Sequence, residues 1–422
     1  RIRNTAGADD SGTTPAGTGI VLKDTTAPSL TRVWLHDHSN YALRGTNVAG
    51  LTLATSVING ANGNNATTPF DDSSVWIDNL TGSAAVSNTY VSGGFEDNFR
   101  VVNASGSLNR ITFTSDTFGA SGATPGNDAL LLESATTAGQ LQATVTNSTF
   151  QSAGGDLLQL NHNGSGAGDL VLTGNAFSNA NPTIATGGGG LSLFQGGTAG
   201  GNTTMTIDNN TFRDAVGPGV LAVKSIGPAT QTGTFTNNVV GVVAPVNSGS
   251  AEGSALKLQS VDQGTINWTV TGNTIRGYNN FGIEVLAGGG ASPQSGAINT
   301  TITGNTITQP GTTPGTITIP KQGIHYNIGT VPGDTFQACA RLTGNAISTS
   351  GADSVPSTIN VDVRLRQRQS TTIRLPGYAG SATDTAAVQS FVAANNDAGT
   401  SVLAAVNSPP GGGFTGTGTT CP

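Results

Sequence analysis

A seven-residue pattern of apolar and polar positions recurs ten times along the chain and reads T-h-T-G-N-x-h, where h is an apolar residue. The clearest copies are TVTGNTI (269–275) and TITGNTI (301–307), and the weakest are TLATSVI (52–58) and AVSNTYV (85–91). The closing apolar residues of successive copies are 27 to 40 positions apart. A repeat of this length indicates a solenoid, in which each unit stacks on its neighbours.

Between the copies lies a second element, in which two apolar residues flank one residue of any type. Alternation with a period of two is typical of a half-buried β-strand. Two or three short strands per repeat cannot bury an apolar face alone, so they must stack on the strands of the next repeat. The predicted fold class is therefore all-β, a parallel β-helix of about ten coils. The second elements are VWI (75–77), LQL (158–160), LSL (191–193), LAV (221–223), LKL (256–258), IEV (283–285) and IHY (324–326).

The fifth position of the pattern is asparagine in six successive copies and another small polar residue in the four copies before them. Such residues satisfy local backbone groups in turns. Stacked coils would place these side chains in register, so we predict an asparagine ladder. The six asparagines are Asn175, Asn210, Asn238, Asn273, Asn305 and Asn345. The four earlier residues are Ser56, Thr89, Asp116 and Ser148.

At these turns the sequence resembles the right-handed parallel β-helix repeat proteins with a pectin-lyase-like fold, in which Asn-rich turns stack in the same way. The resemblance covers roughly residues 45–365. The chain also resembles the β-helical segments of large bacterial surface proteins and adhesins. The resemblance implies a right-handed solenoid. A repeat of this kind marks the fold much more strongly than the function.

The chain divides into three expected parts. Residues 1–44 would form an N-terminal segment and first coil, residues 45–365 the parallel β-helix, and residues 366–422 a C-terminal cap with a Gly/Pro-rich tail. The segment TDTAAVQSFVAANN predicts a short helix capped by Thr383 or Asp384. A helix laid across the last coil would cover its unpaired edge.

Composition and charge exclude several classes of partner. The net charge is −7, the pI is about 4.9 and the chain contains only four lysines, so we expect no nucleic-acid binding. No apolar run approaches the roughly 18 residues of a membrane-spanning helix, so we expect no membrane insertion. The chain shows no signal peptide and begins at Arg1 without Met. We interpret it as a mature or excised portion of a longer, secreted product.

The two cysteines, Cys339 and Cys421, suit a secreted protein with one disulfide. A bridge within the chain would tie the tail to the last coils. A bridge between two copies is the alternative, because Cys421 lies close to the C-terminus. The pairing stays open at this point.

The resemblance also implies a search for the residues with which pectin-lyase-like enzymes cleave acidic polysaccharides. VWIDN (75–79) and VWLHDHSN (33–40) match the W-x-D-H segment of pectate lyases only in part, since Asn79 replaces His and an extra residue precedes Asp37. The G-H-G and R-I-K motifs of polygalacturonases do not occur. We find no acidic triplet on adjacent coils, so we expect no cofactor, and only the resemblance leaves calcium open.

A row of outward residues on the second elements carries the strongest candidate chemistry. Lys257, Glu284 and His325 occupy the middle positions of successive elements, and Asp362 in VDV (361–363) is the expected next member. One interpretation is a small groove that holds an acid, a base and a cation. The other, which we favour, is a surface row of alternating sign that avoids repulsion between like charges.

Two further patterns suggest other kinds of site. His36 and His38 would share one strand face and could bind a metal, but two ligands alone fit an ordinary solvated pair better. Pairs such as Thr269 and Thr271 resemble the T-x-T arrays of ice-binding proteins. Three copies of the pattern interrupt that array, and Thr is in any case favoured on exposed strands.

These observations favour an extracellular structural β-helix, as a cell-surface adhesin passenger or a fibre subunit, over an enzyme. A polysaccharide lyase or glycosidase of pectin-lyase-like fold is the alternative, and an ice-binding protein is a weaker one. The expected partners are glycans, an upstream domain of the same polypeptide, or a second copy joined head to tail. The last two follow because residues 1–30 contain no amphipathic helix that could shield an open strand edge.

Overall fold

A computed structural model describes most of the chain and defines the coils of the predicted solenoid. The described residues are 1–8, 16–64, 72–119, 127–179, 189–197, 200–224, 227–312, 320–350, 360–407, 411–417 and 421–422. The chain is nearly all β, with 51% strand and 3% helix, and its parallel strands wind as a right-handed β-helix. The predicted fold class is confirmed.

The chain forms two compact units, residues 1–203 and residues 204–422. The first unit contains β1 (Ile2–Arg3), β2 (Ile20–Thr26), β3 (Ser29–Thr31), β4 (Trp34–His38), β5 (Leu43–Ala54), β6 (Val57–Asn62), β7 (Val75–Ser87), β8 (Tyr90–Val91), β9 (Phe99–Asn103), β10 (Leu108–Thr114), β11 (Thr117–Phe118), β12 (Leu130–Ser134), β13 (Leu141–Thr146), β14 (Thr149–Phe150), β15 (Leu158–His162), β16 (Gly168–Thr173), β17 (Ala176–Ser178) and β18 (Leu191–Gln195).

The second unit follows the same plan. It contains β19 (Thr203–Asp208), β20 (Thr211–Arg213), β21 (Val220–Lys224), β22 (Thr230–Thr236), β23 (Val239–Val240), β24 (Leu256–Ser260), β25 (Thr265–Thr271), β26 (Thr274–Ile275), β27 (Phe281–Ala287), β28 (Ala297–Thr303), β29 (Thr306–Ile307), β30 (Gln322–Ile328), β31 (Gln337–Thr343), β32 (Ala346–Ile347), β33 (Val361–Arg368), β34 (Thr372–Arg374), α1 (Thr385–Ala394), β35 (Val402–Asn407) and β36 (Gly413–Thr415).

Most coils contribute three strands, whereas the long strands β5 and β7 each take the places of the first two, and the strands pair in parallel with their counterparts in the next coil. In the second unit, for example, β24 pairs with β27, β25 with β28 and β26 with β29. The T-h-T part of the repeat ends the second strand, and the closing apolar residue belongs to the short third strand. Parallel pairing extends beyond the predicted span, since β2 pairs with β5 and β33 with β35.

The fourth position of the repeat adopts a left-handed backbone conformation in all ten copies, with φ between 49° and 69°. Residues with a Cβ rarely adopt this conformation, and Gly and Asn tolerate it best. This requirement explains why Gly or Asn precedes the ladder residue in most copies. The ten residues are Thr55, Asn88, Ser115, Asn147, Gly174, Asn209, Asn237, Gly272, Gly304 and Gly344.

The closing apolar residues of the repeat form a stack inside the coils. In the first unit the rings of Phe118 and Phe150 are 4.7 Å apart, and those of Phe150 and Phe177 are 4.5 Å apart, with ring planes at 11° in both pairs. In the second unit Ile275 and Ile307 occupy the same position and are fully buried. The apolar core thus follows the repeat from coil to coil.

Helix α1 begins after Asp384, whose side chain accepts a hydrogen bond from the backbone N–H of Ala387 at 2.9 Å. Val388 and Val392 are its buried residues. The predicted helix is confirmed, with Asp384 as the N-cap. It does not close the last coil as expected, because β35 and β36 follow it and pair with β33 and β34. In the described part of the chain, no helix has the length and apolar character needed to cross a membrane.

Candidate functional site

The predicted asparagine ladder is present in the second unit as a continuous series of buried hydrogen bonds. The backbone N–H of Asn238 donates to Oδ1 of Asn273 at 2.8 Å, and that of Asn273 donates to Oδ1 of Asn305 at 3.0 Å. Asn210 and Asn345 extend the series in the two directions. Each side-chain amide of Asn238, Asn273 and Asn305 also donates to a backbone carbonyl of the preceding coil. Every ladder amide therefore joins successive coils.

The ladder ends on a residue that the repeat did not identify. Asn396 follows helix α1, and its Oδ1 accepts hydrogen bonds from the backbone N–H of Asn345 at 3.1 Å and from its side-chain amide at 2.9 Å. Asn396 itself donates to the carbonyl of Val392 at 2.8 Å. The helix thus supplies the last member of the ladder. The only sequence signal was an Asn pair at the end of the predicted helix.

In the first unit the same turn position is occupied by residues other than asparagine before Asn175. Oδ1 of Asp116 accepts from the backbone N–H of Thr89 at 2.8 Å, and Oδ2 accepts from that of Thr114 at 2.9 Å. The N–H of Ser148 donates to Oδ1 of Asn175 at 2.9 Å. Burial raises the pKa of Asp116 to about 6, although its two backbone hydrogen bonds oppose the change.

A second polar ladder in the first unit consists of the carboxylates Asp97, Asp128 and Asp156 on successive coils, so the expectation of no acidic triplet on adjacent coils is wrong. The backbone N–H of Asp128 donates to Oδ1 of Asp97 at 2.8 Å, and that of Asp156 donates to Oδ1 of Asp128 at 2.7 Å. Burial and the neighbouring carboxylates Asp97 and Asp156 raise the pKa of Asp128. In the described part of the chain, no three His, Cys, Asp or Glu side chains are placed to hold a metal ion. The carboxylate ladder therefore satisfies backbone groups at the entry to successive strands.

Cys339 and Cys421 form a disulfide within the chain, with their Cα atoms 5.6 Å apart. The hydroxyl of Thr301 donates to the carbonyl of Pro422, which attaches the C-terminal residues to β28. Beside the disulfide lies a cavity of about 360 Å³, whose lining includes Phe391 and Asn395. Of the two pairings that the sequence left open, the bridge within the chain is the one present.

The predicted outward row is only partly in register. Lys257 lies opposite Glu284, and Glu284 lies opposite His325. The next member is Arg364 and not Asp362, because the structure pairs His325 with Arg364. The sequence did not decide this, since V-D-V and V-R-L in β33 satisfy the apolar alternation equally well. The row therefore ends on a cation and not on a carboxylate.

The two carboxylates near this row are occupied by hydrogen bonds to serine. Oε2 of Glu284 accepts from the hydroxyl of Ser254 at 2.8 Å. Oδ2 of Asp362 accepts from both the backbone N–H and the hydroxyl of Ser401, each at 2.8 Å. Among the described residues neither carboxylate forms a hydrogen bond with His325, so the acid–base pair of the groove interpretation, which we did not favour, does not form.

His325 is only 4% exposed, and neither of its ring nitrogens has a hydrogen-bond partner among the described residues. Its ring packs against that of Phe281, with 4.2 Å between the centroids. Burial, followed by repulsion from Arg364 and Arg366, lowers the pKa of His325 to about 3. The imidazole is therefore neutral at physiological pH, and it is poorly placed to act as a general acid.

Three arginines on β33 project beside this histidine and were missed as candidate site residues. Arg364, Arg366 and Arg368 alternate with the buried residues of the strand. Arg364 lies opposite His325, and Arg366 lies opposite Asn327. We call these five side chains the arginine face. Their signal in the sequence was the alternation of Arg with apolar or amide residues in VRLRQR.

The other predicted sites are occupied by contacts within the chain. Nδ1 of His36 lies 2.6 Å from Asp37, and Nδ1 of His38 lies 2.7 Å from the hydroxyl of Thr5. Burial is the largest cause that lowers the pKa of His38. Neither histidine is therefore free for a metal at Nδ1.

The Thr pairs of three neighbouring strands in the second unit stand in register, as in Thr234, Thr269 and Thr301. Thr301 is 9% exposed and donates its hydroxyl to the C-terminal residue. This contact covers one corner of the array.

Comparison with known proteins gave no match to this chain among family models, curated proteins or solved structures.

Proposed function

We propose that the chain is a structural segment of an extracellular β-helical protein of the pectin-lyase-like type, either a cell-surface adhesin passenger or a fibre subunit. The observation that carries the proposal is the buried ladder of the second unit, which continues from Asn210 to Asn345 and is closed by Asn396. Buried polar side chains are costly unless they are fully paired. Here the amides are paired and join successive coils, which suits a structural role for the chain.

The disulfide supports the extracellular part of the proposal. Bridges of this kind form and persist in oxidising compartments and are rare in the cytosol. Antibodies against the folded chain, applied to intact and to permeabilised cells of the source organism, test the location. We expect labelling of intact cells and a disulfide-bonded chain. Labelling that requires permeabilisation would overturn the proposal.

The fibre form of the proposal rests on the open edge of β2. Among the described residues β2 pairs with no strand besides β5, and Val21 on β2 is 46% exposed. An open edge recruits another strand, and a head-to-tail contact between copies propagates into a filament unless it closes. Light scattering should show growth with concentration that Val21→Lys abolishes. Val243→Lys, at another exposed valine, is the control, and a monodisperse monomer at high concentration would contradict the fibre form.

A polysaccharide lyase or glycosidase is the second candidate, because the register does bring Lys257, Glu284 and His325 onto adjacent strands. The hydrogen bond of Glu284 to Ser254 and the burial of His325 weigh against it. Incubation with pectate, alginate and other uronate polymers should therefore release no unsaturated or reducing ends. Release of product that Glu284→Gln abolishes would establish the enzyme instead.

A further inference from the structure

The arginine face holds buried hydrogen-bonding atoms without a protein partner. They are Nε of Arg364, Nε of Arg368, both ring nitrogens of His325 and Oδ1 of Asn327, and none bonds to a described residue. Buried polar atoms in folded proteins are nearly always paired. Five such atoms on two adjacent strands, without a partner in the described part of the chain, are the observation from which we infer a ligand.

The charge of the arginine face is not neutralised by any carboxylate among the residues that the structure describes. No described carboxylate forms an ion pair with Arg364, Arg366 or Arg368, and the nearby Glu284 and Asp362 accept hydrogen bonds from serines. Burial, followed by the adjacent guanidinium, lowers the pKa of Arg364 and of Arg366. A negative ligand would compensate for the cost of desolvation and offset the repulsion between the guanidinium groups.

The spacing of the guanidinium groups favours a polymer over a single small anion. Alternate residues of a strand are about 6.6 Å apart, so the Cα atoms of Arg364 and Arg368 are separated by about 13 Å. One tetrahedral anion cannot bridge that distance. A chain that carries several negative groups can place one on each arginine.

The neighbouring side chains limit the class of polymer. Leu403 and Ala405 lie opposite Arg364 and Arg366 on β35 and offer no ring on which a nucleobase could stack. On the other side, the ring of His325 is buried and already packs against Phe281. Each guanidinium presents five N–H donors in a planar fork. A sulfate ester has three terminal oxygens to accept them, whereas a carboxylate has two.

We propose that the arginine face binds a sulfated polysaccharide, with sulfate groups along the polymer paired to successive guanidinium groups. The inference goes beyond the proposed structural role, which requires no ligand. His325 and Asn327 lie opposite Arg364 and Arg366 on the neighbouring strand, beside the guanidinium groups. The chain would thus carry a ligand site on a scaffold.

Titration calorimetry on the full oxidised chain with dextran sulfate tests the proposal. The site variant is Arg364→Gln/Arg366→Gln/Arg368→Gln, and the control with equal loss of charge is Arg213→Gln/Arg276→Gln/Arg341→Gln. We expect the site variant to weaken binding at least about tenfold and the control to change it less than about twofold. Thermal melting verifies that both triple variants are folded. If the triple variant of the arginine face is not folded, Arg366→Gln alone replaces it as the site variant.

Four ligands complete the experiment. Unsulfated dextran should not bind, and inorganic sulfate should compete only weakly. Binding of polygalacturonate or of single-stranded DNA as tight as that of dextran sulfate would overturn the assignment of ligand class. Equal weakening in the two triple variants would show that the attraction is not specific to the arginine face and would overturn the site.

Discussion

Single residues at the fifth position of the repeat determine how one coil attaches to the next. Asparagine can accept from one coil and donate to another, as Asn273 does when its Oδ1 accepts from Asn238 and its side-chain amide donates to Oδ1 of Asn305. Serine and threonine in the first unit have shorter side chains, whose hydroxyls accept from neighbouring backbone groups. The hydroxyl of Thr89, for example, accepts from the backbone N–H of Ser56. Asp116 differs from all of these, because its carboxyl ionises readily in the unfolded chain but not in the folded one.

Asp116 should make stability depend on pH. Its pKa rises from 3.8 to about 6 on folding, so its stabilising contribution is fully present below about pH 4 and is lost as the pH rises through about 6. We expect Asp116→Asn to raise the free energy of unfolding by about 1 kcal/mol at pH 7, with no such gain at pH 3. Urea unfolding at the two pH values measures this. An equal change at both values would contradict the assignment.

Asn273 should be far more sensitive to truncation than an asparagine on the outer face. Asn273→Ala removes acceptors for the amides of Asn238 and leaves buried donors unpaired, so we expect a loss of about 2 to 3 kcal/mol. Asn299→Ala, which removes one bond to half-buried Asn267, should cost less than about 1 kcal/mol. Denaturant unfolding compares the two, and equal losses would refute the ladder register.

At the scale of elements, the sequence predicted the features that periodicity and capping determine, and it missed those that depend on strand register or tertiary position. The ten turns, the inward apolar residues and helix α1 follow from periodicity and capping. The register of β33 did not follow, because two alternations fit and only the pairing of His325 with Arg364 decides between them. Asn396 was missed because it lies outside the repeat and reaches the ladder only through the tertiary position of α1.

The junction between α1 and the last coil gives a prediction with a matched control. Asn396→Ala removes the acceptor for both amides of Asn345, and we expect it to cost about 1 to 2 kcal/mol. The neighbouring Asn395→Ala removes the side-chain hydrogen bond to the carbonyl of Phe391, and it should lower the free energy of unfolding by less. Hydrogen exchange at the Asn345 amide should accelerate only in the first variant. Acceleration in both, or in neither, would remove Asn396 from the ladder.

At the scale of the whole molecule, an acidic chain of net charge −7 contains one concentrated group of unneutralised arginines in its second unit. The first unit instead contains the carboxylate ladder through Asp128. The negative net charge therefore gave no indication of the arginine face, a local surface of positive charge. Charge summed over a sequence describes long-range fields and solubility better than it describes a site.

The disulfide should stabilise the entire C-terminal part of the chain. For a sequence separation of 82 residues, the chain-entropy model gives roughly 4 to 5 kcal/mol, which is an upper figure for Cys421→Ser. Cys339→Ser and the double variant should lose the same amount, since all three lack one bond. Thermal melting with non-reducing electrophoresis checks this. A disulfide-linked dimer of the natural chain would show pairing between copies instead.

The ladder of the second unit has a direction, since each backbone N–H donates to the amide oxygen of the following coil. Loss of residues 273–304 would therefore bring the N–H of Asn238 to Asn305, an acceptor of the same kind in the same turn. Duplication or deletion of a whole coil preserves every inter-coil bond of the ladder. A gene that encodes such a ladder can therefore lengthen or shorten its product in steps of one coil, whereas the insertion or deletion of a single residue within a strand would reverse its faces.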